Sequence, residues 1–422
     1  MMNLIATLAV LLAAFAAFAG GAVAEPIIVN AKAYLDVDRG QLVTPALIVI
    51  EDGVIAALNP GSVPGGERIE LGDLTLLPGL IDVHTHLTYE IVPGWDVEPV
   101  RWTQADFALR GVLNARKTLL AGFTSVRDLF AYEFSDVALM RAIDRGWVDG
   151  PRMRVSGHAL SITGGHCDVT SFAPGVKELD YRSGIADGVD DVIRAVRYQI
   201  KHGANVIKIC ATAGVLSFEG PVGAQQYSFE ELKAAADEAH RHGLKIAAHA
   251  HGTAGIIASS EAGIDTIEHA SVITKRAAQM LKKNGTVIVP NLYLTEGMNL
   301  DLLPPEIRAK AEGIIPKFFD SFRVAQEYGL KIAFGTDAGV FPHGENARQF
   351  ALNVQHGQSP IEAIRGATSY AAEVLGTADR GRIDDGLLAD LIGVAGNPLE
   401  DVSLLEDVRF VMKGGVVYKG AR

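Results

Sequence analysis

The run Leu76–Glu90, LLPGLIDVHTHLTYE, places two histidines two positions apart at the end of an apolar stretch. Successive side chains on a strand alternate faces, so His84 and His86 point one way while Val83 and Thr85 point the other. Two imidazoles on one face are able to share a metal ion, although paired histidines also occur in ordinary hydrogen-bonded sites. Upstream, Leu76–Val83 is apolar except at Pro78, Gly79 and Asp82. That pattern suits one strand buried on both faces of a parallel sheet.

Seven further runs of the same texture follow: GFTSVRDLF, RMRVSGHAL, NVIKICA, LKIAAHAH, TIEHA, TVIVPNLYL and LKIAFGTDA. Helical stretches such as Asp190–His202 and Ser228–His242 separate them, and Ser228 with Glu231 three residues later forms a capping-box pattern. Eight strand-helix repeats over about 300 residues fit a (β/α)8 TIM barrel, with a doubly wound open sheet as the alternative. Both chain ends read differently. Pro26–Leu58 alternates short strand-like segments with turn residues such as Asp52-Gly53, and LLADLIGVAG and VRFVMKGGVVYKG near the C-terminus do the same around Gly414-Gly415. Neither end has enough strands to close a sheet alone, so both are expected to pair in one small β-sandwich. The resulting division is α/β throughout: residues 25–75 and 381–422 in the sandwich, 76–380 in the barrel.

The chain has 422 residues, 48% apolar and 21% charged, with a formal net charge of -12. That charge argues against bulk electrostatic attraction to nucleic acid or an anionic membrane surface, and leaves small molecules as the expected partners. Residues 1–24 carry no charged side chain, have an apolar core from Leu4 to Phe18 and end in Ala22-Val23-Ala24. They read as a signal peptide cut before Glu25, which makes the mature protein exported, periplasmic or secreted, with no membrane attachment after cleavage. A chain of this size has no need of a disulfide, so Cys210, in a buried strand, is expected to be a free packed thiol.

Ionisable residues recur at the C-terminal ends of the strand-like runs, where barrel enzymes place their active sites. Besides His84 and His86 these are Lys208 in VIKIC, His249 in IAAHAH, His269 in TIEHA and Asp337 in AFGTDAG. Each has a plainer reading as a hydrogen-bonded core histidine or a helix cap. Lys208 is harder to read that way. Flanked by Val206, Ile207, Ile209 and Cys210, it loses hydration, which favours the neutral amine, and a neutral amine can form a carbamate with carbon dioxide. Four histidines, one carboxylate and a bridging carbamate are what a two-metal hydrolytic site requires.

On these residues the sequence resembles the amidohydrolase superfamily, in its binuclear branch with a carbamylated lysine. The resemblance implies one metal on His84, His86 and Asp337, a second on His249 and His269, and Lys208 bridging them as a carbamate. Two divalent ions are implied, with zinc expected although manganese and cobalt suit the same ligands. Asp337 would shuttle the proton from water to the leaving nitrogen. His251, two residues beyond the first histidine of its run, falls to packing or to support of a ligand.

Within that superfamily SITGGHCD, AQQYS and GTDAGVFPHGEN are similar to the imidazolonepropionase-like branch, which contains Xaa-Pro and Xaa-Arg/Lys dipeptidases and ochratoxin-type amide hydrolases. The resemblance gives His166 and Tyr227 the carboxylate of the departing amino acid, and makes His343 a further pocket residue. It also implies a homo-oligomer. The expected function is therefore hydrolysis of dipeptides or N-acyl amino acids that carry a free C-terminal carboxylate. Hydrolysis of a cyclic amide, lactone or phosphotriester on the same metals is the alternative, and a non-catalytic metal-binding envelope protein is the remaining one.

Overall fold

The computed structural model describes residues 25–420, so the expected signal segment 1–24 lies outside the described residues. From the N-terminal side come β1 (Ile27–Ala31), β2 (Ala33–Asp36), β3 (Gln41–Val43), β4 (Ala46–Glu51), β5 (Val54–Leu58), β6 (Glu67–Glu70) and β7 (Leu74–Pro78). The central part adds β8 (Leu80–Thr85), β9 (Phe123–Asp128), β10 (Arg152–Val155), β11 (Ile207–Cys210), β12 (Ile246–Ala250), β13 (Thr266–His269) and β14 (Val287–Val289). The C-terminal side supplies β15 (Leu391–Ala395), β16 (Phe410–Lys413) and β17 (Val416–Lys419).

Strands from both chain ends share one six-stranded sheet in the order β17-β16-β15-β7-β2-β3. Its centre is the antiparallel pair β7 and β15, with Leu74 opposite Ala395 and Pro78 opposite Leu391. A four-stranded sheet, β5-β4-β1-β6, lies beside it, and Val29, Ile48, Leu76, Leu391, Phe410 and Met412 form one apolar cluster from residues of the two sheets. The β4–β5 hairpin turns on Asp52 and Gly53, both at positive φ as such a two-residue turn requires.

The opening run is not one strand. Leu74–Pro78 pairs antiparallel with β15, whereas Leu80–Thr85 pairs parallel with β9. Pro78 has no N–H to give, the Gly79 N–H goes to Asp390 O (2.8 Å), and a Cβ on Gly79 would collide with Thr124, so the chain changes sheets there.

The parallel strands form two sheets, β10-β9-β8 and β11-β12-β13-β14. Helices Gln104–Leu120, Val189–His202, Phe229–Arg241 and Lys275–Asn284 run between them, each burying an apolar stripe. The Ser228–Glu231 capping box forms as the sequence indicates. The eighth run, around Lys331–Ala338, makes no regular ladder. It meets its neighbours through the bridges Ile332 to Ile288 and Ala338 to Thr85, and Leu160 bridges to Ile209 between the two parallel sheets.

A side chain takes the place of the missing ladder: buried Asp82 accepts from Thr336 N (3.1 Å), Thr336 Oγ1 (2.6 Å) and Asn346 Nδ2 (2.8 Å). Burial pushes the Asp82 carboxyl up to about 6 despite these bonds. Among the described residues no helix is long and apolar enough to cross a membrane.

Beneath the eighth run, Phe334 packs between Phe123 (ring centroids 5.8 Å apart) and Phe350 (4.2 Å). Phe334→Ala is expected to cost about 3–5 kcal/mol, seen as a lower urea midpoint. An unchanged midpoint would show that this cluster does not hold the eighth segment.

Candidate metal centre

The C-terminal ends of the parallel strands face one cavity of about 190 Å³, lined by His84, His86, Lys208, His249, His269 and Asp337. Ligating atoms of His84, His269 and Asp337 lie within 4.8 Å of one another, as do those of His249, His251 and His269. His269 belongs to both groups. His86 joins through Asp337, its Nε2 2.9 Å from Oδ1, while His84 Nε2 is 3.4 Å from the same oxygen.

His84, His249, His269 and Asp337 are held in the form a cation requires. Burial holds the His249 and His269 rings well below the usual imidazole range, and burial together with Lys208 lowers His84 to about 4. Burial opposes ionisation of Asp337, yet His84, His86 and His269 outweigh it and hold the carboxyl far below its ordinary value. Buried His86 Nδ1, His249 Nε2 and His269 Nδ1 have no hydrogen-bond partner among the described residues. Orphaned ring nitrogens converging on one cavity are what a ligand set presents before its metal is counted, so the residues fit a metal.

Lys208 is buried, and burial lowers its ammonium to about 8 in spite of Glu268 and Asp337. It makes no salt bridge among the described residues. The backbone at this ring is unusual: His269 and Asp337 both have φ of 65°, in the left-handed region that costs an L-residue about 1–3 kcal/mol.

Two residues that sequence reasoning missed set the geometry from below. Glu268 accepts from His84 Nδ1 (2.8 Å), which leaves Nε2 for the cavity. Arg127 donates to Glu268 Oε1 (2.8 Å), to Val83 O (2.6 Å) and to Thr266 Oγ1 (3.0 Å). Burial would neutralise Glu268, but Arg127, His84 and Lys208 hold it ionised at about 2. His251 is closer to the donors than expected. Its Nδ1 is fixed by Ser271 Oγ (2.7 Å), and its ring stands within the second group of donors.

The other residues divide. His166 lines the cavity and lies against His249, ring centroids 4.1 Å apart. Tyr227 and His343, expected to bind substrate, do not line it. The Tyr227 ring is turned into the apolar core and its hydroxyl donates to Ala186 O (3.1 Å). His343 is buried with Nε2 donating to Tyr89 O (3.3 Å), so it braces the cavity wall from behind.

Cys210 is not a free thiol. It forms a disulfide with Cys167, because the loop after β10 folds back over the end of β11. The argument from chain size concerns the core, whereas this bond secures a loop at the cavity rim.

A model of the amidohydrolase family matches residues 75–420. The chain belongs to the amidohydrolase family. Its members are typically metal-dependent, and this one is a hydrolase of amide C–N bonds with an α/β fold of the TIM-barrel type. It is 32% identical to the ochratoxinase of Aspergillus niger over 414 residues, 90% of this chain and 84% of that one. A crystal structure of a Xaa-Pro dipeptidase with bound methionine in the active site is similar at 35% identity and TM-score 0.88, covering 94% of this chain and 100% of the other. A prolidase complexed with N-methylphosphonate-L-proline is similar at 31% and 0.85, with coverage of 94% and 100%.

In this amidohydrolase Arg127→Met leaves Glu268 buried without its guanidinium counter-ion. The expected results are a loss of about 3–5 kcal/mol of stability and a fall of about 10–100-fold in metal affinity, read by thermal denaturation and by metal content after dialysis. Wild-type metal content would rule out this support. Replacing Cys167 and Cys210 together by Ser is expected to lower stability by about 2–4 kcal/mol and to raise KM with bound metal unchanged. An unaltered KM would show that the loop holds its place without the bond.

Proposed function

We propose that this amidohydrolase is an exported binuclear enzyme that cleaves dipeptides or N-acyl amino acids bearing a free C-terminal carboxylate. The observation that carries the reading is that His166 lines the same cavity as the six candidate ligands, against the His249 ring. The Leu160–Ile209, Ile288–Ile332 and Thr85–Ala338 bridges support a barrel of eight strands beneath it, with the two end sheets as a flanking sandwich.

His84, His86 and Asp337 would hold one divalent ion, His249 and His269 the other, and Lys208 would span them as a carbamate. Such a pair, zinc by expectation, supplies an activated water near neutral pH and polarises a carbonyl. Asp337 Oδ1 is engaged by the two histidines, at 3.4 Å from His84 Nε2 and 2.9 Å from His86 Nε2. Asp337 would take a proton and return it to the departing nitrogen, a step amide cleavage needs because an amine anion is a poor leaving group. His166 would receive the substrate carboxylate, which fixes the scissile bond relative to Asp337.

Apolar and aromatic side chains lining the cavity support substrates that carry apolar groups. They are Tyr89, Trp95, Phe130 and Tyr132 together with Leu294, Met298, Ile314 and Phe318. The similar Xaa-Pro dipeptidase holds methionine, a free amino acid with the carboxylate this reading requires.

The test is amine release from a panel of dipeptides and N-acyl amino acids, using zinc-loaded protein prepared with bicarbonate. Turnover is expected only where the terminal carboxylate is free. No turnover across the panel, with two metals bound per chain, would overturn the reading in favour of cyclic amides, lactones or phosphotriesters. Asp337→Asn is expected to lower kcat by about 10²–10⁴-fold on any substrate found.

A further inference from the structure

We infer that Glu219 is a positioning residue for substrate recognition, holding the His166 ring so that Nε2 faces the carboxylate of the departing amino acid. The inference rests on the function proposed above. Glu219 is mostly buried and does not line the cavity, so it acts through His166 and does not touch substrate.

The geometry is built from both sides of the ring. His166 Nδ1 lies 2.5 Å from Ser217 Oγ and 3.5 Å from Glu219 Oε1, which occupies that nitrogen and leaves Nε2 for the cavity. The ring lies directly on Gly214, where a Cβ would come within 2.2 Å of its Cε1; no other residue leaves room for it. Glu219 Oε1 also accepts from Gly214 N (2.8 Å), so one carboxylate fixes both the ring and the backbone it rests on.

The loop carrying Glu219 is fastened in turn. Lys310, from the helix Pro305–Glu327, donates to Ser217 O (2.8 Å) and Glu219 O (2.7 Å), and its ammonium is 4.0 Å from Glu219 Oε2. The His166 backbone N–H donates to Gln226 Oε1 (3.1 Å) and Phe218 N donates to Thr170 Oγ1 (3.1 Å), which laces the two loops together. A carboxylate recruited only for stability would not need Gly214 bare and the His166 ring set against His249 in the same place.

A double-mutant cycle between Glu219→Ala and His166→Ala tests the assignment on metal-loaded enzyme, with N-acyl amino acids and their C-terminal amides as paired substrates. Glu219→Ala is expected to raise KM for the free acids about tenfold or more, with kcat within about twofold and no comparable rise for the amides. In the His166→Ala background the same substitution is expected to change KM by less than about twofold, because the group it acts through is gone.

Equal effects in both backgrounds, an unchanged KM, or a matching loss of kcat would overturn the inference while leaving the proposed function standing. Absence of turnover of every free acid by the wild-type enzyme would overturn both. Should Glu219→Ala not fold, Glu219→Gln keeps an acceptor for Gly214 N–H while removing the charge, and is read in the same way.

Discussion

A guanidinium and a carboxylate sealed among the strand ends, Arg127 and Glu268, set the terms for everything above them. Both are essentially without solvent, so neither is tolerable without the other. Their pairing fixes the direction of Glu268, which fixes the tautomer of His84, which turns Nε2 to the cavity. The same carboxylate lies near Lys208 and works against the neutralisation that burial imposes on it. One buried pair thus sets the orientation of a ligand, and its carboxylate sustains the basicity of the residue expected to bridge.

A second constraint acts from the side. Asp82 receives two hydrogen bonds from Thr336, one residue before Asp337, so the segment bearing the candidate proton carrier is held by side-chain bonds where a ladder would otherwise run. This releases the backbone to turn left-handed at Asp337, a conformation a regular strand forbids. His269 departs from strand geometry in the same way, and as a result it contributes to both groups of donors. His269 and Asp337 thus join the ring of ligands where the sheets stop being regular, while Lys208 and His249 enter it from paired strands.

That irregularity explains what the sequence could and could not disclose. Residues at strand ends are legible because their position follows from apolar runs of fixed period, and His84, His86, Lys208, His249, His269 and Asp337 all line the cavity the runs enclose. Arg127 in SVRDL and Glu268 in TIEHA carried the same signal as Lys208, a charge inside an apolar run, and the reasoning applied to the lysine extends to them.

Loop residues were another matter. Tyr227 and His343 sit in motifs that point to the cavity mouth, yet hydrogen bonds to Ala186 O and Tyr89 O take them behind it. The bond between Cys167 and Cys210 was equally hidden, since it depends on how a loop folds over a strand 43 positions away. The break at Gly79 was obscured because Pro78 ends one strand and Leu80 begins another with no change in hydrophobicity.

The antiparallel pairing of β7 with β15 joins residues on either side of the whole catalytic region. On a ribosome, β7 emerges roughly 300 residues before its partner, an interval of about 15–60 s at ordinary elongation rates. Throughout that time the edge of β7 facing β15 has no partner, and the nascent chain carries an open template for pairing with other chains. Completion of the six-stranded sheet therefore waits for β15, and it is the arrival of that strand that locks the intervening centre in place.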